Sequence, residues 1–404
     1  MNKLVSSSAF ASDDTTEDFV DVGDRILVSE TDFRGIIRFA NRSFCEVAEY
    51  EEAELLNAPH KIVRHPTMPK GTFQLVWERI KQGLPTSAYI KNRCKAGREY
   101  WVFASILPYK DGFISVRIKP QGKNFEAVKE LYAQAYDAEL AGASAEQSAA
   151  LVLAGVKSLG YYDYADFSFQ ALNEEYQFRE AKNALKWTGH LESLAQKVAD
   201  TDRLIEQIAG GFDQVCGEPV NLRVLSGQLG DAGIALGCIA QNYEIMALEM
   251  QKLLEKLRCQ HGGVLERMDG GIHAGIYASQ VASLIQQSGH AGSLEAEQNH
   301  IVWFTEKSRL AFNEVVALGA ALPDTCRQIR RRINGLDVVK MLCRVESERM
   351  HAQDSGLSGI IGRLETFHTN TDRYLTDLTV KANQIATTKK MPATAGFQKI
   401  LNNP

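Results

Sequence analysis

No stretch of this 404-residue chain approaches the ~20 consecutive apolar side chains of a membrane-spanning helix, so no span is expected. A basic excess is also missing. Lys and Arg number 45 against 50 Asp and Glu, and the net charge of −5 excludes a general nucleic-acid binder. The seven cysteines (Cys45, Cys94, Cys216, Cys238, Cys259, Cys326, Cys343) contain no Cys-x-x-Cys pair and are odd in number. That excludes a fully paired disulfide framework and reads as reduced thiols in the cytoplasm. No Gly-rich loop ends in Lys-Ser or Lys-Thr, and no metal-ligand spacing occurs. The glycine boxes of a sensor kinase and the motifs of cyclic-dinucleotide synthases and phosphodiesterases are absent too. With no catalytic constellation, the expectation is a protein that is not an enzyme. Residues 1–22 are rich in Ser, Thr and Asp and lack a charged start followed by an apolar core. They read as a disordered segment and not as a secretory signal.

Proline becomes scarce partway along the chain. Six of the ten prolines precede residue 121, and only Pro219 and Pro323 lie between 121 and 391. The apolar content of 45% is ordinary for a globular protein and allows two or three domains. Strand patterns run from Ile26 to Thr31 and from Ile36 to Ala40, around a turn at Asp32 to Gly35. Asn41 is placed to cap a short helix through Tyr50. Phe73, Val76, Trp77 and Ile80 recur at helical spacing, which predicts a helix from Lys70 to Gln82. Three further strands are predicted: Thr86 to Asn92, Arg98 to Leu107 and Gly112 to Lys119. Two strands, helices, then three strands predict an α+β domain, an antiparallel five-stranded sheet with helices on one face. Its bounds are set at 23–120.

Two blocks within that domain carry the most information. Pro59 to Pro69 is polar, cationic and braced by Pro66 and Pro69, which fix φ and forbid a long helix. It reads as a stiff segment holding Arg64 and His65. Lys91 to Val102 reads as a hairpin turning at Ala96-Gly97, with Asn92 and Trp101 near facing ends. Two such blocks around an apolar interior suit a small-molecule pocket with a few polar anchors.

The Arg-His-Pro-x-Met-Pro segment at Arg64 and the Lys-Asn-Arg-x-Lys-x-Gly-x-x-Tyr-Trp-Val hairpin at Lys91 resemble the sensory PAS domain of bacterial aerotaxis receptors. The resemblance covers roughly Gly23 to Lys119. It implies a domain that holds flavin (FAD) and reports redox state. It also implies that Arg64, His65 and Asn92 contact the flavin, with Asn92 on the polar edge of its ring. Trp101 lies within the motif, and Asn41 is a further candidate. Each has an alternative: a surface ion pair for Arg64 and His65, a helix cap for Asn41, plain core for Trp101 and Trp77. Two positions depart from the family. Thr67 replaces its acidic residue, and Pro85-Thr86 stands where it tends to carry Trp. His60 offers a haem alternative, since neutral imidazole ligates iron. A ligand-free scaffold is the other alternative.

Beyond Gly122 the periodicity is helical. Residues 121–160 are expected to form a linker helix region, 161–386 a helical output and dimerisation region, and 387–404 a flexible tail. Phe125, Val128, Tyr132 and Ala135 mark a helix placed to take up movement of the last strand. The aromatic run from Tyr161 to Phe169 is expected to dock on a helix bundle. Ile239, Tyr243, Met246, Met250, Leu253 and Leu257 form an apolar stripe. So do Ile360, Leu364, Phe367, Thr371, Tyr374, Leu378, Ala382 and Ile385. Such stripes suit antiparallel hairpins or coiled-coil dimers. Asn334 to Asp337, Arg344 to Arg349 and Gly356 to Ile361 loosely resemble the hairpin tip of methyl-accepting chemotaxis proteins. Asn221 to Leu225 with Gly230 to Gly233 echoes it again, without that family's Glu-Ala-Ala-Arg run. Together these imply a cytoplasmic redox or oxygen sensor, a homodimer, acting on a chemotaxis kinase or adaptor.

Overall fold

Period-two alternation organises the first part of the chain. β1 (Leu27–Asp32), β2 (Ile37–Ala40), β3 (Thr86–Arg93), β4 (Glu99–Tyr109) and β5 (Gly112–Ile118) form an antiparallel five-stranded sheet in the order β2-β1-β5-β4-β3. The computed structural model describes residues 19–178, 188–258, 262–288, 294–349 and 356–392. The expectations for the first residues and for the end of the tail therefore lie outside the described residues. So does Cys259.

The turn between β1 and β2 follows from its residues. The Asp32 carboxylate accepts from the backbone N–H of Arg34 (2.8 Å) and of Ile36 (2.9 Å), and Gly35 takes a φ of +79°. Asn41 then caps α1 (Arg42–Ala48), accepting from the N–H of Phe44. α2 (Glu52–Leu55) and a 3-10 turn at His60–Val63 lead to α3 (Lys70–Lys81), whose apolar face meets the sheet. The proline-braced segment lies along the edge strand. Arg64 bridges Asn92, and the His65 N–H donates to the Lys91 carbonyl at 3.3 Å.

The chain divides into two compact units. The first comprises residues 1–188, 276–308 and 393–404, and the second 189–275 and 309–392. In the first unit, α1 to α3 cover one face of the sheet. α4 (Phe125–Leu140) and α6 (Tyr164–Phe178) cover the other, with α5 (Ala145–Ser158) packed on α3 and α4. The Tyr161 to Phe169 run therefore docks both on the sheet, at β3, and on a helix, with Phe169 against Tyr277 of the later helical part (6.0 Å). Phe167 packs on Tyr89 (6.4 Å), the Tyr164 hydroxyl donates to the Ser87 carbonyl (3.3 Å), and Ser168 Oγ accepts from the Ser87 N–H (2.5 Å) beside the Tyr277 hydroxyl (2.7 Å).

The remaining helices are α7 (Thr188–Asp213), α8 (Glu218–Leu229), α9 (Ile234–Leu257), α10 (Val264–Gln287), α11 (Leu294–Gly319), α12 (Leu322–Arg349) and α13 (Leu357–Ala386). α10 and α11 give residues to both units. In the second unit, α12 packs on both α9 and α13. Ile239, Tyr243, Met250 and Leu257 are buried on α9, and Ile360, Leu364, Phe367, Thr371, Leu378, Ala382 and Ile385 on α13. Leu375 takes the seam position expected of Tyr374, which is half-buried. Both stripes are thus covered within one chain. The echoes of the chemotaxis tip fall on α12 and the start of α13, and on α8 and its following turn. Among the described residues no helix is long and apolar enough to cross a membrane.

Candidate functional site

A cavity of about 300 Å³ lies between the sheet and α3, closed at one end by His60 to Arg64. Strand alternation supplies its floor: Ser29 and Thr31 from β1, Ile90 and Asn92 from β3, Ile106 from β4, and Phe113, Ser115 and Arg117 from β5. The register explains the selection, since Ser29 faces Ser115, Thr31 faces Phe113 and Ser115 faces Ile106. α3 supplies the roof with Phe73, Val76, Trp77 and Ile80. Trp77 meets Phe113 edge-on at 5.7 Å. The volume is at the lower end of small-molecule sites, and the walls are largely apolar and aromatic.

The polar groups in this setting stand out by what they lack. Asn92 is 3% exposed and Arg117 2%. Asn92 Nδ2, Ser115 Oγ and Arg117 Nη1 are buried without a hydrogen-bond partner among the described residues. Each such group disfavours the unfilled fold by roughly 1–3 kcal/mol, more for a charged one. The second arm of Arg117 is engaged: Nη2 donates to Ser29 Oγ at 2.7 Å and to His60 Nε2. A guanidinium keeps its protons, so His60 accepts at Nε2 and carries its own proton on Nδ1. Burial, then the neighbouring Arg117 charge, hold His60 well below the usual histidine range, and it is neutral. Burial likewise pushes Arg117 down to about 10. One of the two ring nitrogens that could ligate iron, Nε2, thus already accepts from Arg117.

Arg64 and Asn92, both expected at the site, line this cavity. The Arg64 guanidinium lies 3.7 Å from the Phe73 ring centroid and donates to the Met68 carbonyl at 3.2 Å.

His65 and Trp101 lie elsewhere. They line a polar cleft with Thr67, Lys91, Glu99 and Lys119. The register pairs Asn92 with Tyr100 and Lys91 with Trp101, so Trp101 points to the face opposite Asn92. There it packs on Phe125 (5.5 Å) and Tyr132 (6.5 Å). The Thr67 N–H donates to His65 Nδ1 (3.3 Å), Thr67 Oγ1 lies 2.8 Å from that nitrogen, and Nε2 is 3.4 Å from Glu99. Burial, followed by the Lys91 charge, pushes His65 down to about 4. Thr67, at the family's acidic position, thus serves His65 and not the cavity. Asn41 is consumed by structure: it accepts from Val28 N–H (2.9 Å) and Phe44 N–H (3.0 Å) and donates to the Ile26 carbonyl (2.9 Å).

Arg117, Ser115, Ser29 and Phe113 escaped the sequence reading. A signal was present. Phe113, Ser115 and Arg117 alternate with Ile114, Val116 and Ile118, an arginine-bearing face set against a wholly apolar one.

The PAS fold family matches residues 37–115. The aerotaxis receptor of Escherichia coli (strain K12) is 40% identical over 114 residues, covering 27% of this chain and 22% of that protein. The nitrogen fixation regulatory protein of Klebsiella pneumoniae is 29% identical over 98 residues, covering 24% of this chain and 18% of that protein. The chain thus spans about a fifth of the length of these relatives. A solved structure described as "Flavin Analogue Sheds Light on Light-Oxygen-Voltage Domain Mechanism" is 18% identical with a TM-score of 0.23, covering 29% of this chain and 86% of that one.

Proposed function

The N-terminal part of the chain is a PAS sensor domain homologous to the aerotaxis receptor, and from that premise we propose that it binds flavin, as FAD, and reports redox state to a signalling partner. The observation that carries this is the set of orphaned polar atoms on Asn92, Ser115 and Arg117 inside an aromatic-walled cavity. An isoalloxazine ring has apolar faces for Trp77, Phe113, Val76 and Ile80, and one edge of carbonyls and ring nitrogens for the orphaned groups. Arg64 is placed for the ribityl and phosphate oxygens, which suit a guanidinium. When bound, flavin supplies reversible electron uptake. The protein's part is to hold the ring, keep water from it and respond to its change in charge and hydrogen bonding.

The response route we propose runs through β5 into α4. The junction is clamped by the Glu175 carboxylate, which accepts from the N–H of Gln121 (2.7 Å) and Gly122 (2.8 Å). A change in strand position at Ser115 or Arg117 reaches this clamp within a few residues. Coupling requires the two redox states to interact differently with two arrangements of that junction. The helical second unit then presents the output, in the cytoplasm, to a chemotaxis-type kinase or adaptor, without catalysis of its own; a homodimer would have to form through a surface other than the α9 and α13 stripes, which the chain covers itself.

Absorption spectroscopy of protein purified in the dark tests the reading. Flavin bands that bleach with dithionite are expected. Colourless protein that refuses added FAD would overturn it in favour of a ligand-free scaffold, and a Soret band in favour of haem.

A further inference from the structure

Arg117 is a buried cation, 2% exposed. Among the described residues no carboxylate pairs with it. Its surroundings include Ser29 Oγ, the neutral His60 ring, the Phe44 face at 4.9 Å, and the buried Tyr100 hydroxyl, which has no hydrogen-bond partner among the described residues. A full charge removed from water and left unpaired disfavours the folded state, so the arrangement makes sense when an occupant compensates it. Nη2 donates to Ser29 and His60, whereas Nη1 has no hydrogen-bond partner among the described residues, on a side chain that lines the cavity. Ser115 and Asn92, both with orphaned atoms, line the same space.

We propose that Arg117 sets the charge state the cavity prefers: its free guanidinium arm is the counter-ion for a ligand edge that gains negative charge on reduction, so the reduced ligand is held more tightly than the oxidised one. This rests on the flavin reading. The electrons come from an external reductant, and no covalent bond between ligand and protein forms or breaks. Arg117 keeps its proton and balances part of the added charge, so fewer protons need to follow the electrons. Charge beside the polar edge of a flavin is a principal way for a protein to tune it. Arg117 is a specificity-determining residue in this account, and His60 and Ser29 position it.

The test compares full-length wild type, Arg117→Met and Arg117→Lys by spectroelectrochemical titration of the bound flavin, and by thermal unfolding of the unloaded proteins. Arg117→Met is expected to reduce the preference for reduced over oxidised flavin at least tenfold, which is about 59 mV for one electron and about 30 mV for two. Arg117→Lys is expected to keep most of it. If Arg117→Met fails to retain oxidised flavin, titrating oxidised and dithionite-reduced flavin into the unloaded variant reads the same ratio. Unloaded Arg117→Met is expected to unfold at or above the wild-type temperature, because a buried unpaired charge has been removed. An unchanged potential, or a large drop in the unfolding temperature of unloaded Arg117→Met, overturns the proposal and makes Arg117 a structural tie between Ser29 and His60. A wild type that takes up no flavin overturns the flavin reading itself, which the two variant outcomes leave standing.

Discussion

Replacing Asn92 with leucine separates a ligand anchor from a structural residue, because the two roles give opposite signs. Asn92 is 3% exposed and its Nδ2 has no hydrogen-bond partner among the described residues. In the unloaded protein, Asn92→Leu removes a buried donor whose unmet desolvation costs roughly 1–3 kcal/mol and substitutes a side chain of similar size. A folding unit of this size shifts by about 2–4 °C per kcal/mol, so the unloaded variant should unfold several degrees higher. In the loaded protein the same change removes one hydrogen bond, worth about 0.5–1.5 kcal/mol, so flavin binding should weaken by about two- to thirteenfold. The assay is paired thermal unfolding of unloaded and flavin-saturated protein, with flavin affinity from equilibrium dialysis. Loading should raise the unfolding temperature of the variant less than that of wild type. A variant that is less stable unloaded and binds flavin as tightly as wild type would refute the reasoning and make Asn92 a member of the core.

Arg64→Ala should lose flavin before it loses fold. One charge-assisted contact is worth roughly 1.5–3 kcal/mol, so flavin content should fall by at least tenfold while the circular dichroism spectrum is kept, and full retention would show that Arg64 serves only Phe73 and Met68. Acid should destabilise the first unit in a defined window. His65 has its folded value depressed to about 4 from the ordinary histidine value of about 6.5, so the unfolded chain binds the extra proton, and stability present above about 6.5 is lost as pH falls towards 4. His65→Gln should flatten that part of the urea-midpoint profile, and His60, depressed as well, should account for a further acid-side loss. Leu364→Glu places a carboxylate at a fully buried seam position and should abolish cooperative unfolding of the helical unit. Halved mass with helicity intact, by light scattering, would instead make that seam a contact between two copies.

What the sequence determined by itself is local. Strand alternation, the Asp32 to Gly35 turn, the Asn41 cap and the spacing of Phe73, Val76, Trp77 and Ile80 each depend on residues within a few positions of one another. Their elements appear within about two residues of the expected bounds. Register and pairing between distant strands had to come from the tertiary structure. A shift of one residue turns every side chain to the other face. Asn92 and Trp101, neighbours across a predicted hairpin, end on opposite sides of the sheet because Asn92 pairs with Tyr100. The same pairing, two strands away, brings Arg117 and Ser115 beneath the roof that Trp77 and Arg64 complete. Helical stripes show the same division. Periodicity fixed which face of α13 is apolar, but the packing of α12 on it decided that this face is covered within one chain. An amphipathic face specifies that it must be buried and carries no information on the identity of the surface that buries it.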